Sequence, residues 1–261
     1  MLSIAAPPVL GGVVYVLIGR RHRPSVPASD DEIKATVQDV YVYGRRVWLG
    51  SIGGILLLRL DQLVVAPLSN VHELGLYVVA VNVSEILLIV VNAVHDVTFA
   101  ADAASNDNSR AYSTSRLATL ATLALGLLMS ALAPVLVPLL FGSAFRPSVQ
   151  LIWILAGALV IMVPGTVAGA LLVARGFPQL RSVGLILGAI VNAAVLVAAV
   201  PSTGAIGAAW ATLAGNAVFG ASNLYFAYRR THARPSEFVG LHRGDLAPIG
   251  QAVRKLRHRG D

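Results

Sequence analysis

The chain contains seven long apolar runs separated by short polar or basic segments. In order they are Leu2–Ile18, Val47–Val65, Leu76–Phe99, Leu117–Phe141, Leu151–Val173, Val183–Val200 and Ile206–Tyr228. At about 1.5 Å rise per residue, helices of such lengths cross a hydrocarbon core of about 30 Å. Backbone polar groups in lipid must be bonded internally, which favours helices. The sequence therefore predicts an all-α, polytopic membrane protein of about seven transmembrane helices, with a six-helix bundle preceded by one further helix.

The composition supports a membrane protein and excludes several site chemistries. Charged residues make up 13% of the chain, against about 25% in soluble domains. The net charge of +7 also raises nucleic-acid binding, but the basic residues lie beside apolar runs, so no nucleic-acid partner is expected. The chain has no cysteine, which excludes disulfides and thiolate metal sites. No metal site and no cofactor are predicted.

The distribution of basic residues predicts the orientation. Eighteen of the twenty Lys and Arg residues lie in alternate connections, namely Arg20–Arg46, Ala100–Arg116, Ala174–Arg181 and the tail from Arg229. The opposite set of loops holds only Arg146, and Arg59 lies inside a span. Cytoplasmic loops carry the excess of Lys and Arg. We therefore expect an external N-terminus and a cytoplasmic C-terminus.

The same pattern divides the chain into four parts. Residues 1–19 are predicted to form a transmembrane helix, and an odd span count is natural if it ends a missing N-terminal half. Residues 20–46 are predicted as a cytoplasmic linker, 47–228 as the six-helix bundle, and 229–261 as a basic cytoplasmic tail. The tail is either an amphipathic helix on the membrane surface or a mostly disordered, solvated segment.

Polar residues interrupt the second and third apolar runs. Arg59 and Asp61 lie near the end of the second run. The third run carries polar residues that share one helical face with Ile89, namely Asn82, Glu85, Asn92 and Asp96. A charged side chain at the bilayer centre costs roughly 2.5–3.5 kcal/mol on insertion scales. These residues therefore need partners, water or a substrate.

Helical geometry separates the two charges of the second run. Residues two apart point about 200° away from each other, so Arg59 and Asp61 cannot pair. Arg59 and Glu85 lie at similar depths, which predicts a contact between them across the hairpin. Two interpretations stay open: an ion pair that sets the helix register, or the lining of a hydrated cavity that meets a polar substrate or a coupling proton.

Other polar residues point to packing and not to chemistry. Asn192 and Asn216 lie in rows of small residues, which suit close helix contacts and hydrogen bonds across them. Asn223 gives little information, and His72-Glu73 is expected to be solvated in a short loop. The sequence has no Gly-rich phosphate loop, no His-Glu-x-x-His and no Gly-x-Ser-x-Gly. We therefore expect that the chain is not an enzyme.

Several motifs resemble one transporter family. The motifs are Arg59-Leu60-Asp61-Gln62, Gly75-Leu76-Tyr77-Val78-Val79-Ala80, and Leu139-Leu140-Phe141-Gly142 followed by Phe145. From residue 44 to about 228, the sequence resembles the C-terminal half of polysaccharide or oligosaccharide-lipid flippases of the multidrug/oligosaccharidyl-lipid/polysaccharide exporter superfamily. The resemblance implies two six-helix bundles around a central cavity, in the cytoplasmic (inner) membrane of a bacterium.

The resemblance also implies a substrate and partners. The substrate would be a polyprenyl-diphosphate-linked saccharide, with Arg59 suited to the diphosphate and Asp61 and Glu85 to proton or ion coupling. Asn82 and Asn92 complete the set of candidate substrate-binding or coupling residues. The expected partners are membrane lipid, that substrate, and the missing N-terminal half or a second copy. The alternatives are a proton- or ion-coupled small-molecule or drug antiporter of the same superfamily and a non-transporting membrane scaffold.

Overall fold

The structure is a computed structural model that describes Ile52 and residues 54–56, 59–89, 91–93 and 109–239. All of them belong to the compact unit Arg45–Asp261. The first apolar run, the linker 20–46, Asp96 and the tail beyond Val239 lie outside the described residues. The predictions made for those segments therefore stay predictions.

Every regular element in the described part of the chain is helical. Residues 59–68 form α1, with helical residues also at Ile52 and 54–56. The following helices are α2 Val71–Ser84, α3 Ser109–Phe141, α4 Ser148–Ala174, α5 Pro178–Thr203, α6 Ala205–Thr231 and the short α7 Pro235–Val239, with a 3-10 turn at Ser143–Phe145. The prediction of an all-α architecture is confirmed.

Four of the helical stretches are long and apolar enough to cross a membrane. They are Val71–Ala93, Ala111–Phe141, Ser148–Ala174 and Pro178–Thr203. The helix α6 is also 27 residues long, but its glycine, threonine, asparagine and arginine residues make it less apolar than the other long helices. These elements correspond to the third to seventh apolar runs, and α1 covers the second in part. The chain is thus a polytopic membrane protein.

The central helix is α4, and small residues let its neighbours approach it. A Cβ atom built on Gly165 would lie 2.2 Å from the Cα of Gly220 in α6. One built on Gly184 of α5 would lie 2.6 Å from the Asn223 Oδ1 atom. Neither position leaves room for a side chain: the backbones of α4 and α6 touch at Gly165, and the Asn223 side chain packs on the backbone of α5 at Gly184. The predicted use of small-residue rows for close packing is confirmed at these glycines.

The side-chain contacts group the helix ends into two sets. At one end, Glu73 accepts a hydrogen bond from the Ala205 backbone N–H at 2.8 Å, beside the turn at Gly204. The Phe145 ring lies 3.9 Å from a Cβ built on Gly75. The expectation that Glu73 is merely solvated is therefore wrong, because its carboxylate satisfies an N–H group that the start of α6 leaves unbonded.

At the other end, the first residues after α6 pack against the start of α3. Phe238 is fully buried, and its ring meets the edge of Tyr112 at a centroid distance of 5.0 Å. Ser115 donates a hydrogen bond to the Phe238 carbonyl oxygen at 2.9 Å, and Arg116 donates one to the Glu237 carbonyl oxygen at 2.7 Å. The tail is therefore ordered as far as Val239, and the two alternatives for the rest of it stay predictions.

Candidate functional site

The hairpin of α1 and α2 places Arg59 beside Glu85. The Arg59 Nη1 atom lies 2.8 Å from Glu85 Oε1, as the depths of the two residues predict. The side chains are 47% and 30% exposed, so the pair lies at the surface of the described bundle. The α-helix α2 ends at Ser84, and Glu85 forms a turn before helical residues resume at 86.

Asp61 points in the opposite direction, into the bundle, where it is 3% exposed. The Tyr77 hydroxyl of α2 donates a hydrogen bond to Asp61 Oδ2. Thr212 of α6 lies with its Oγ1 atom 3.2 Å from the same oxygen and 2.9 Å from the Tyr77 hydroxyl. The Gln62 backbone N–H donates to Asp61 Oδ1 at 2.7 Å. One carboxylate thus joins three helices.

A small cavity of about 40 Å³ lies next to this carboxylate. Its polar lining comes from α1, α2 and its continuation, and α6, and consists of Asp61, Tyr77, Ser84, Glu85, Thr212 and Asn216. Leucine and valine side chains supply the rest. The cavity therefore lies between the buried Asp61 and the partly exposed ion pair.

The two remaining predicted site residues, Asn82 and Asn92, lie away from the bundle. Both are exposed, as is Ile89 on the same face. The opposite face of the same helical stretch is buried through Tyr77, Leu87 and others. The polar face predicted from the 3-4 spacing therefore exists over residues 82–92, and it points outward with Glu85. Neither asparagine joins the Asp61 cluster.

Sequence reasoning did not identify Tyr77, Thr212, Ser84 or Asn216 as site residues. In the sequence, Tyr77 is noticeable only as part of a motif, and Asn216 only as a packing residue. Asn216 does donate to the Ala158 carbonyl oxygen at 3.4 Å, which agrees with a packing role. The seven-residue spacing of Tyr77 and Ser84 could have indicated these two residues, because it places both on the same face of α2, which is the buried one.

Two other asparagines differ from expectation. Asn223, which was given little weight, is fully buried and donates to the Gly165 carbonyl oxygen at 3.1 Å. Asn192 is also fully buried, but neither its Nδ2 nor its Oδ1 atom bonds another described residue. The hydrogen bond across a helix interface that was predicted for Asn192 is therefore not present among the described residues.

Comparison with known proteins identifies the family of the chain. Residues 9–150 match the family described as polysaccharide biosynthesis protein, and this range is more than half of the 261-residue chain. The chain belongs to this family. No curated protein and no solved structure matches significantly. The matched range includes the hairpin with Arg59, Asp61, Tyr77 and Glu85, so the family assignment covers most of the candidate site.

Proposed function

We propose that this chain is part of a flippase-like transporter that moves a lipid-linked oligosaccharide or polysaccharide precursor across the cytoplasmic membrane of a bacterium. Membership of the polysaccharide biosynthesis family and the apolar helices support a membrane role in making polysaccharide. In this proposal the chain catalyses no reaction of its own. The substrate passes through a larger cavity outside the hairpin of α1 and α2, and the opposite wall of that cavity comes from an N-terminal half or a second copy.

The observation that carries the proposal is the partly exposed Arg59–Glu85 pair on the outward face of the hairpin. Arginine has five N–H donors in a planar fork, which suits the oxygens of a diphosphate. Glu85 binds one side of this fork and keeps the guanidinium in place. The pairing also keeps the free-energy cost of placing the two charges in lipid moderate. A diphosphate would bind the remaining donors, while Asn82 and Asn92 offer hydrogen bonds along the same face.

A second candidate function is a proton- or ion-coupled antiporter for small molecules. The buried Asp61 favours it, because a carboxylate that changes its charge or its bound ion among three helices can couple ion binding to helix movement. Export of a small dye from everted vesicles, with and without an ion gradient, separates the two candidates. Gradient-dependent dye export without any effect on polymer would favour the antiporter.

The test of the flippase proposal is the Arg59→Ala variant in the host strain. We expect surface polymer to be lost and the lipid-linked precursor to accumulate on the cytoplasmic side. Arg146→Ala is the matched control, because Arg146 is an exposed arginine in a loop of the same chain, and it should keep normal export. Normal polymer export by Arg59→Ala would exclude the proposed role.

A double variant separates a functional arginine from a purely structural ion pair. For an ion pair that is held away from water, replacing both partners by apolar residues is often neutral for stability, and a pair on a lipid-facing surface meets this condition. Arg59→Leu combined with Glu85→Leu should therefore fold and insert. If the pair only sets the helix register, export returns in this variant. We expect export to stay lost, because the diphosphate ligand is missing.

A further inference from the structure

Two arginines at the end of the bundle where α4 and α6 finish take no part in the candidate site. Arg181 lies in the first turn of α5, and Arg230 lies in the last turn of α6. Neither forms an ion pair with a described residue. Glu237 is the only acidic residue in the described part of this end, and its carboxylate lies 3.6 Å from Arg116 Nη1. The described part of the chain therefore does not balance these two positive charges.

The Arg181 side chain lies partly inside the bundle. Its Cγ and Cδ atoms would each be 3.3 Å from a Cβ atom built on Gly169 of α4, and the Asn223 Nδ2 atom of α6 would be 2.9 Å from the same Cβ atom. The side chain thus passes between three helices. Its Nε atom is buried and has no hydrogen-bond partner among the described residues, whereas the residue as a whole is partly exposed. A guanidinium held partly away from water is costly without a counter-charge, so Arg181 needs an anion that reaches it from outside the bundle.

The Phe177 ring places Arg230 near Arg181. The Arg230 Cζ atom lies 5.6 Å from the centroid of this ring. Phe177 is the N-cap residue of α5 and comes one helical turn before Arg181, so the two side chains lie on one side of the helix, about 5–6 Å apart at Cβ. A cation–π contact holds a guanidinium over the ring but leaves its charge unneutralised. One anion can therefore contact both guanidinium groups.

The depth of Arg181 indicates the source of this anion. The helix α5 is one of the stretches that can cross a membrane, and Arg181 lies about 5 Å along the helix axis from its first residue, Pro178. This depth corresponds to the edge of the hydrocarbon core, next to the lipid headgroups. Arginine binds phosphate oxygens through two parallel N–H···O bonds, and basic pockets between transmembrane helices bind anionic headgroups. A phospholipid phosphate therefore fits Arg181 both in position and in chemistry.

The two positive charges favour one class of phospholipid. A zwitterionic headgroup carries its own cation, which the arginines repel, whereas an anionic headgroup keeps a net negative charge opposite both guanidinium groups. We propose that Arg181 and Arg230 together bind the phosphate of an anionic phospholipid of the cytoplasmic leaflet, with phosphatidylglycerol as the probe. The bound lipid would join the start of α5 to the end of α6. The site does not rest on the proposed transport function, and its leaflet follows from the positive-inside rule.

The test is binding of phosphatidylglycerol to the full chain purified and delipidated in detergent. Native mass spectrometry during a titration with this lipid gives the dissociation constant of the first bound molecule, and thermal unfolding is followed in mixed micelles. We expect saturable binding and a saturable rise of the melting temperature, because a ligand that binds the folded state stabilises it. Phosphatidylcholine should bind more weakly by about tenfold or more. Equal affinities for the two lipids would overturn the proposal.

Variants locate the lipid at the two arginines. Arg181→Gln and Arg230→Gln should each raise the dissociation constant for phosphatidylglycerol by about tenfold or more, because each removes charge-assisted hydrogen bonds to the phosphate. Arg181→Lys should give a smaller increase, since lysine keeps the charge but not the planar fork. Arg146→Gln is the matched control, because Arg146 is an exposed arginine in the loop between α3 and α4. An equal loss in Arg146→Gln would mean that the lipid is attracted to basic residues in general, and it would overturn the assignment.

The remaining outcomes separate this site from misfolding and from the transport proposal. If Arg181→Gln does not fold, Arg230→Gln decides, since Arg230 is exposed, and an unchanged affinity in that variant would reject the site. The other source of phosphate is the diphosphate of the proposed substrate. Loss of polymer export in Arg181→Gln with unchanged phosphatidylglycerol binding would assign the arginines to the substrate and reject the lipid site. If lipid binding needs both arginines while Arg59→Ala exports polymer normally, the lipid site stands and the flippase proposal fails.

Discussion

Arg59 and Asp61 are two positions apart in one helix, yet they lie in opposite environments. Arg59 is half-exposed beside Glu85, whereas Asp61 is buried among Tyr77 and Thr212. The helical angle between them forces this division. One residue can therefore face a substrate pathway while the other holds the bundle together, and variants of the two should give different phenotypes.

The Tyr77→Phe variant tests the structural contribution of the Asp61 cluster. It removes the hydroxyl that donates to the buried carboxylate and keeps the ring, which is fully buried. We expect a loss of about 1–2 kcal/mol in unfolding free energy, since a buried acceptor loses a donor. Unfolding in a mild detergent with increasing denaturing detergent measures it. Tyr225→Phe is the control because Tyr225 is exposed, and equal stability of the two variants would contradict the contribution of the Asp61 bond.

The residue-level predictions from sequence succeed where one helix or one hairpin decides the outcome. The separation of Arg59 from Asp61 and the contact of Arg59 with Glu85 depend only on helix period and depth. The partners of Asp61 could not be predicted in this way, because Thr212 is 151 residues away in sequence. For the same reason the asparagines 192 and 216 look alike in the sequence, although only Asn216 lines the cavity.

At the level of elements, the small-residue rows of α4, α5 and α6 determine how closely these helices pack. Gly165 and Gly220 are in backbone contact, and this contact follows from the absence of side chains. Such contacts supply much of the attraction between helices in lipid, where the hydrophobic effect is weak. The rows could be found in the sequence, whereas the pairing of particular glycines depends on helix orientation and required the structure.

The short helix α7 is an element that the sequence did not reveal. It holds the chain after α6 against α3 through Phe238, which is fully buried. In Phe238→Ala this anchor should be lost, and the bond after Glu237 should become accessible to a glutamate-specific protease. We expect cleavage there to accelerate by on the order of tenfold or more, as local opening becomes cheaper.

The protease experiment should give few other cleavage products, because the chain contains only four glutamates. Val239→Ala is the matched control, since Val239 is exposed and its truncation leaves the anchor intact. The loss of a fragment of residues 238–261 is followed by mass spectrometry. Equal cleavage rates in both variants would show that Phe238 does not hold this segment in solution.

At the scale of the whole molecule, the structure and the charge pattern agree on how the helix ends are grouped. Glu73, Phe145 and Gly204 meet at one end, and Tyr112, Phe177 and Arg230 lie at the other. Among the described residues, the basic ones at the start of α3, between α4 and α5 and after α6 fall at the second end. These contacts show which loops lie at the same end of the helices. The assignment of one end to the cytoplasm comes from the positive-inside rule alone.

The absence of cysteine from the sequence allows a direct test of this orientation. Ser143→Cys lies in the loop between α3 and α4, and Ser236→Cys lies in α7, and both positions are exposed. In intact cells, a membrane-impermeant maleimide should label Ser143→Cys at once and Ser236→Cys only after permeabilisation. The reverse pattern would place Arg59 and Glu85 in the cytoplasmic half of the bilayer. The proposed diphosphate contact would then act where the substrate is taken up, and not where it is released.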